Sequence, residues 1–193
     1  MLIDPESAVK AMNINKKNHW RDVKKVIDRS EVIVMVLDAR DPEGTRAEEI
    51  ESLVTESNKK IVYVINKVDL VPPENAIAWI AKFKSNKLLC LPFKANLSVL
   101  SKSESQDIQA ENGSEKLMTI LFKYAKKFAE KKEMESITVG VIGMPNVGKS
   151  SVINVLKNKP VCASGSTPFN TKAIQEVKLN SMVTLLDCPS ILL

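Results

Sequence analysis

The stretch Ile137-Thr138-Val139-Gly140-Val141-Ile142-Gly143-Met144-Pro145-Asn146-Val147-Gly148-Lys149-Ser150-Ser151 decides the fold. Its first six residues carry no charge and are mostly apolar and β-branched, as a strand buried on both faces requires. Gly143 to Ser150 then matches G-x-x-x-x-G-K-[ST], and Lys149 to Leu156 continues as a helix pattern. In this strand–loop–helix setting the glycines let backbone N–H groups turn inward. Together with the helix N-terminus these groups form an anion site. The expected phosphate contacts are Asn146, Val147, Gly148, Lys149, Ser150 and Ser151. Lys149 reaches the outer phosphates and the Ser150 hydroxyl is a Mg²⁺ ligand.

Outward from this stretch, apolar runs recur with helix patterns between them. Val32–Leu37, Ile61–Ile65, Leu88–Leu91 and Val183–Leu186 read as strands. Ile174–Leu179 alternates and suits a half-exposed edge strand. Trp20, Val23 and Ile27 form one helical stripe. Glu74 to Phe83, entered through Pro72 and Pro73, forms a second. Leu117, Leu121, Tyr124 and Phe128 form a third. Such alternation predicts a mostly parallel sheet with helices on both faces. Ser101 to Ser114 is polar and aperiodic, and a flexible surface loop is expected there.

Further motifs sit at the strand ends. Asn66-Lys67-Val68-Asp69 follows the strand Ile61–Ile65. A carboxylate at Asp69 accepts the guanine N1–H and 2-amino hydrogens, which adenine lacks as a pair. The Asn66 side chain binds guanine N7 or braces the adjacent loop, and the Lys67 methylenes cover the base. Lys94, Ala95 and Asn96 follow the strand Leu88–Leu91, and the small Ala95 lets its N–H meet guanine O6. Asp187, at the end of Val183–Leu186, is the acidic Mg²⁺ partner of Ser150. Between them, Thr171 is the candidate to close over Mg²⁺ and the terminal phosphate, with Thr167 as its rival.

Composition bounds the rest. The chain has 193 residues, 44% of them hydrophobic and 26% charged, which suits one globular domain. No apolar run approaches the roughly 18 residues of a membrane span, and the N-terminus lacks the apolar block of a signal peptide. Cys90, Cys162 and Cys188 are odd in number and widely spaced, so neither a disulfide framework nor a zinc cluster is expected. With one histidine, His19, histidine catalysis has little support. Net charge is +5, and lysines cluster at Lys16–Lys25 and Lys123–Lys132. Those clusters are either solvated helix faces or contacts for a polyanion such as RNA.

The order of the motifs is unusual. Base-reading residues precede the phosphate loop, which precedes Thr171 and Asp187. The chain resembles the circularly permuted Ras-like GTPases of ribosome biogenesis, the nucleostemin-like nucleolar family. Val36-Leu37-Asp38-Ala39-Arg40-Asp41-Pro42 with Gly44-Thr45-Arg46, Asn66–Asp69, Phe93–Ala95, Gly143–Ser151, Pro168 with Thr171-Lys172, and Leu186–Pro189 carry the likeness. It implies a three-layer α/β P-loop NTPase G domain, circularly permuted. Its mostly parallel six-stranded sheet has one antiparallel edge strand. Residues 29–193 form that domain, behind an N-terminal helical extension over 1–28.

The resemblance further implies slow GTP hydrolysis with Mg²⁺, aided by K⁺ held at Asn146. Lys149, Thr171 and Asn146 are then the catalytic set, and Ser150, Thr171 and Asp187 the Mg²⁺ set. A hydrophobic residue, matched by Ile191, stands where other GTPases use glutamine. The implied role is a switch in large-subunit assembly in the nucleus and nucleolus, with the cytoplasm as the other compartment. The implied partners are GTP or GDP and ribosomal RNA or pre-ribosomal particles, for a monomer without membrane contact. A nucleotide-binding scaffold with little turnover is the alternative. Two departures bear on it. Ser190, expected at the terminal phosphate, stands where the family has glycine. The family's RNA-contacting flanks also extend beyond this chain's ends, which is the pattern of an excised or partial G domain. No chemical role for Arg40 or Arg46 follows from the sequence.

Overall fold

The computed structural model describes residues 20–95, 111–132, 135–158, 161–162 and 173–190. Thr167, Thr171, Asn96 and Ile191 lie outside the described residues, as do 1–19. The described elements run α1 (20–29), β1 (Val32–Asp38), α2 (Glu48–Glu56), β2 (Lys60–Asn66), a short 3₁₀ turn (Val68–Leu70), α3 (Pro73–Ser85) and β3 (Cys90–Pro92). Then come α4 (Glu111–Lys132), β4 (Ile137–Ile142), α5 (Lys149–Lys157), β5 (Gln175–Lys178) and β6 (Val183–Asp187).

The sheet has six strands in the order β3-β2-β1-β4-β6-β5. All neighbours are parallel except β5 and β6, so the antiparallel strand is at an edge, as expected. Every residue of β1 is buried, because helices cover both of its faces. Successive β1 side chains alternate between two cores. Val32, Val34 and Val36 pack with Leu117 and Leu121 of α4 and with Val152 and Ile153 of α5. Ile33, Met35 and Leu37 pack with Val23 and Ile27 of α1, Ile50 and Val54 of α2, and Phe83 of α3. Three layers result.

Two features differ from the sequence reading. Residues 111–114 belong to α4 rather than to a flexible loop over 101–114. Gly113 is the reason: a Cβ there would lie 2.4 Å from the Pro92 carbonyl, so the helix starts flush against the end of β3. Residues 101–110 lie outside the described residues. Helix α2 was not foreseen, since one short apolar set, Ile50, Leu53 and Val54, stands among four glutamates. Among the described residues no helix is long and apolar enough to cross a membrane.

Candidate nucleotide site

The phosphate loop leaves the C-terminal end of β4 and enters α5. Asn146 and Gly148 both hold left-handed backbone, at φ +61° and +97°. These reversals curl the loop around the N-terminus of α5. At Gly148 a side chain is also excluded by space, because a Cβ would lie 2.3 Å from Asn66 Nδ2. Lys149 is buried, and its ammonium donates to the carbonyls of Gly143 and Met144, each at 3.0 Å, and to Ser190 Oγ at 2.9 Å. Burial pushes its pKa down to about 8, against the opposing pull of the Asp187 carboxylate.

Asn66 ends β2 and is buried. Its amide nitrogen donates to the Val147 carbonyl at 2.8 Å, and its amide oxygen accepts the Ala95 N–H at 3.1 Å. The side chain is therefore a brace between the phosphate loop and the segment after β3. Of the two roles open in the sequence, bracing is the one its contacts fill. Ala95 uses its N–H on this brace, so the base-reading role expected of that N–H requires the bond to be shared. Asp69 is exposed in the 3₁₀ turn, next to Lys67, whose left-handed backbone begins that turn. Lys94 is half-buried beside Ala95.

Across the sheet, Ser150 Oγ lies 2.8 Å from Asp187 Oδ2 at the end of β6. The strands β2, β4 and β6 thus bring the phosphate loop, Asn66–Asp69 and Asp187 to one edge of the sheet, at their C-terminal ends. Open α/β sheets bind ligands in that position.

Known proteins resemble this chain in sequence and in fold. Residues 138–193 match the family model described as 50S ribosome-binding GTPase. The guanine nucleotide-binding protein-like 3 homolog of Drosophila melanogaster is 41% identical over 189 residues, and GTPase grn1 of Schizosaccharomyces pombe 40% over 204. These alignments cover 91% and 99% of this chain, but 32% and 42% of the relatives. The chain thus spans about a third to two-fifths of the relatives' length. Among solved structures, GNP-bound YlqF from T. maritima superposes with a TM-score of 0.56 at 25% identity, covering 91% of this chain and 59% of YlqF.

This chain is a circularly permuted G domain. It is similar over nearly its whole length to relatives named guanine nucleotide-binding protein-like 3 homolog, GTPase grn1 and nucleolar GTP-binding protein 2.

Within this G domain the residues from Asp38 to Arg46 acquire a physical role that their sequence withheld. Asp38, at the end of β1, is buried. Arg40 grips it in bidentate fashion, Nε to Oδ1 at 2.9 Å and Nη2 to Oδ2 at 2.7 Å. Lys67 Nζ donates to Oδ2 at 2.8 Å and also to the Asn146 carbonyl. Burial alone raises the Asp38 pKa, but the hydrogen bonds from Arg40 and Lys67 outweigh it and hold the carboxyl far below its usual range. Asp38 therefore tethers Lys67 over the phosphate loop. Arg46 does something different. It pairs with both carboxylate oxygens of Glu51 at 2.6 and 2.7 Å and lies 5.8 and 5.7 Å from the ring centres of Tyr63 and Phe83. It fastens the loop after β1 to α2, β2 and α3. The signal for Asp38 was an acidic residue ending a wholly apolar strand.

Three oxygen-rich groups suit Mg²⁺: the Ser150 hydroxyl, the Asp187 carboxylate and a bound phosphate. Among the described residues no group of three His, Cys, Asp or Glu could hold a metal by itself, so an ion there depends on the phosphates. Asn146 is exposed at the loop tip. Burial pushes the thiols of Cys90, Cys162 and Cys188 up to about 12, so they stay protonated at neutral pH.

Proposed function

We propose that the G domain binds GTP and GDP with Mg²⁺ and hydrolyses GTP slowly, as a switch in large ribosomal subunit assembly in the nucleolus. The observation that carries this reading is the Asn66 brace, which ties the guanine-motif strand to the phosphate loop through a 2.8 Å hydrogen bond to Val147. One ligand can then touch both. Asp69 and the Ala95 segment receive the base, with the Lys67 stem over its face. The N–H groups of Asn146 to Ser151 and the Lys149 ammonium receive the phosphates. Ser150 and Asp187 hold Mg²⁺, which when bound neutralises phosphate charge. Thr171 closes the site, and Asn146 is the one K⁺ donor this reading assigns. Ser190 lies at the terminal phosphate.

The matched family's description, "50S ribosome-binding GTPase", and the name of one relative, "Nucleolar GTP-binding protein 2", support the assembly role. So does the exposed basic face of α4, with Lys123, Lys126, Lys127 and Lys131, which fits ribosomal RNA. The G domain acts on this reading as a monomer, with α1 as part of its core through Val23, Val26 and Ile27. Calorimetry with GTP, GDP and ATP in Mg²⁺ tests the base assignment. Guanine nucleotides bind far more tightly than ATP, and comparable affinities would sink the reading. Asp69→Asn narrows that preference while leaving the phosphate contacts.

A second reading, a nucleotide-binding scaffold with little turnover, is favoured by one contact: Ser190 occupies a donor of Lys149. Single-turnover phosphate release with and without K⁺ separates the two. Clear K⁺-stimulated release eliminates the scaffold.

A further inference from the structure

We propose that Ser190 is a specificity-determining residue whose hydroxyl competes with the terminal phosphate of a nucleoside triphosphate for Lys149, so that the G domain favours the diphosphate. The inference rests on the reading of Gly143–Ser150 as a phosphate loop and deepens it.

The argument begins with the donors of one ammonium. A lysine has three N–H donors and no acceptor. Those of Lys149 meet three oxygens: Gly143 O, Met144 O and Ser190 Oγ. The two carbonyls belong to the phosphate loop itself. Gly143 is jammed against β1, where even a Cβ would lie 2.5 Å from the Val36 carbonyl. Those acceptors stay when a ligand arrives. The third acceptor is a side chain from another segment, three residues beyond the end of β6. It is the partner a phosphate oxygen replaces.

The side of approach decides which phosphate is affected. The base-reading end of the site is at Asn66, which grips the loop at Val147. The opposite end is marked by Asp187, 2.8 Å from Ser150 Oγ. Ser190 follows Asp187 on the same segment, so its hydroxyl approaches Lys149 from the end where the phosphate chain terminates. A diphosphate, shorter by one group, meets Lys149 from the base-reading side and brings no oxygen to the side from which Ser190 approaches, so the Ser190–Lys149 bond persists beside it. A triphosphate brings an oxygen into the position that Ser190 Oγ holds. Because Ser190 is itself buried, a displaced hydroxyl does not simply turn to bulk water. Breaking this bond is therefore a cost borne by GTP and not by GDP, and a ligand shifts an equilibrium only by such a difference. A residue without a hydroxyl at 190 carries no such cost.

The test is calorimetry on the intact chain, with GDP and a non-hydrolysable GTP analogue in Mg²⁺, for wild type, Ser190→Ala, Ser190→Gly and Ser190→Thr. Ser190→Ala keeps the Cβ and removes only the oxygen, so it reports even where Ser190→Gly loosens the backbone. The GTP-analogue to GDP affinity ratio is expected to rise about three- to tenfold in Ser190→Ala. GDP affinity itself stays within about twofold, and Ser190→Thr, which restores a hydroxyl, returns the ratio toward wild type. An unchanged ratio, a fall in GTP-analogue affinity, or an equal gain for both nucleotides overturns the inference and leaves the phosphate-loop reading intact. A wild-type chain that binds neither nucleotide overturns that reading, and this inference with it.

Discussion

Asn66 Nδ2 donates to the Val147 carbonyl at 2.8 Å, a hydrogen bond between residues 81 positions apart. It joins the strand that ends in the base-reading motif to the loop that receives phosphates. Through one donor and one acceptor of its buried amide, Asn66 holds the phosphate loop and the segment after β3 in register.

Removing that brace leaves a buried carbonyl and an N–H without their partner. Asn66→Ala is expected to lower folding stability by about 1–3 kcal/mol. It also weakens GDP binding, because the two halves of the site lose their common anchor. Urea unfolding and calorimetry on the same preparation check both effects. A variant of full stability and unchanged GDP affinity would show that Asn66 does not organise the site.

Gly148→Ala strikes the same brace from the other side. The added Cβ meets Asn66 Nδ2 at 2.3 Å and must also adopt a φ of +97°. The expected result is loss of nucleotide binding together with a lower melting temperature. Because both changes break one contact, a double-mutant cycle with Asn66→Ala gives less than the sum of the single effects. Full additivity would place the Gly148 effect elsewhere.

Asp38 sets a pH dependence whose sign is fixed by its partners. Arg40 and Lys67 hold its folded pKa far below the ordinary aspartate value of 3.8, so the unfolded chain binds more protons in acid. The stability it contributes is fully present above about pH 4 and is lost as pH falls toward the folded pKa. Asp38→Asn therefore melts below wild type at pH 7, and the gap narrows as pH drops from 4 toward 2. Thermal melts across that range decide the matter, and a gap constant with pH contradicts the assignment.

Arg46→Ala separates architecture from chemistry. It removes the paired contacts to Glu51 and the packing over Tyr63 and Phe83, none of which belongs to the phosphate loop. Stability is expected to fall by about 1–3 kcal/mol while GDP affinity stays within about twofold. Arg46→Lys does not rescue it, since an ammonium cannot form the two-pronged pair. Denaturant titration beside nucleotide titration distinguishes this from a direct ligand contact.

Much of this was legible before any coordinates. The apolar runs within β1, β2 and β4 announce strands covered on both faces, because a run without alternating polar positions offers neither face to water. The pattern Gly143–Ser150 between a strand and a helix announces a phosphate loop, because so few sequences turn that sharply with that spacing. Helix α2 stayed hidden because its buried side is only two residues wide, Ile50 and Val54, and its glutamates mask it. The start of α4 stayed hidden because a polar stretch reads as loop, and only the backbone of β3 beside Gly113 makes helix the better solution there.

The sequence by itself determined the local chemistry: which residues are strands, which loop can bind an anion, and that the motifs run in permuted order. These depend on spacing along the chain, and spacing is written in the chain. Only the tertiary structure decided how side chains from distant strand ends partner one another. That Asn66 braces Val147, that Asp38 tethers Lys67, and that Ser190 holds Lys149 are consequences of four strands, β1, β2, β4 and β6, ending at one edge. A hydrogen bond needs two groups within about 3 Å, and no pattern of residues along the polymer specifies that distance until the sheet has formed.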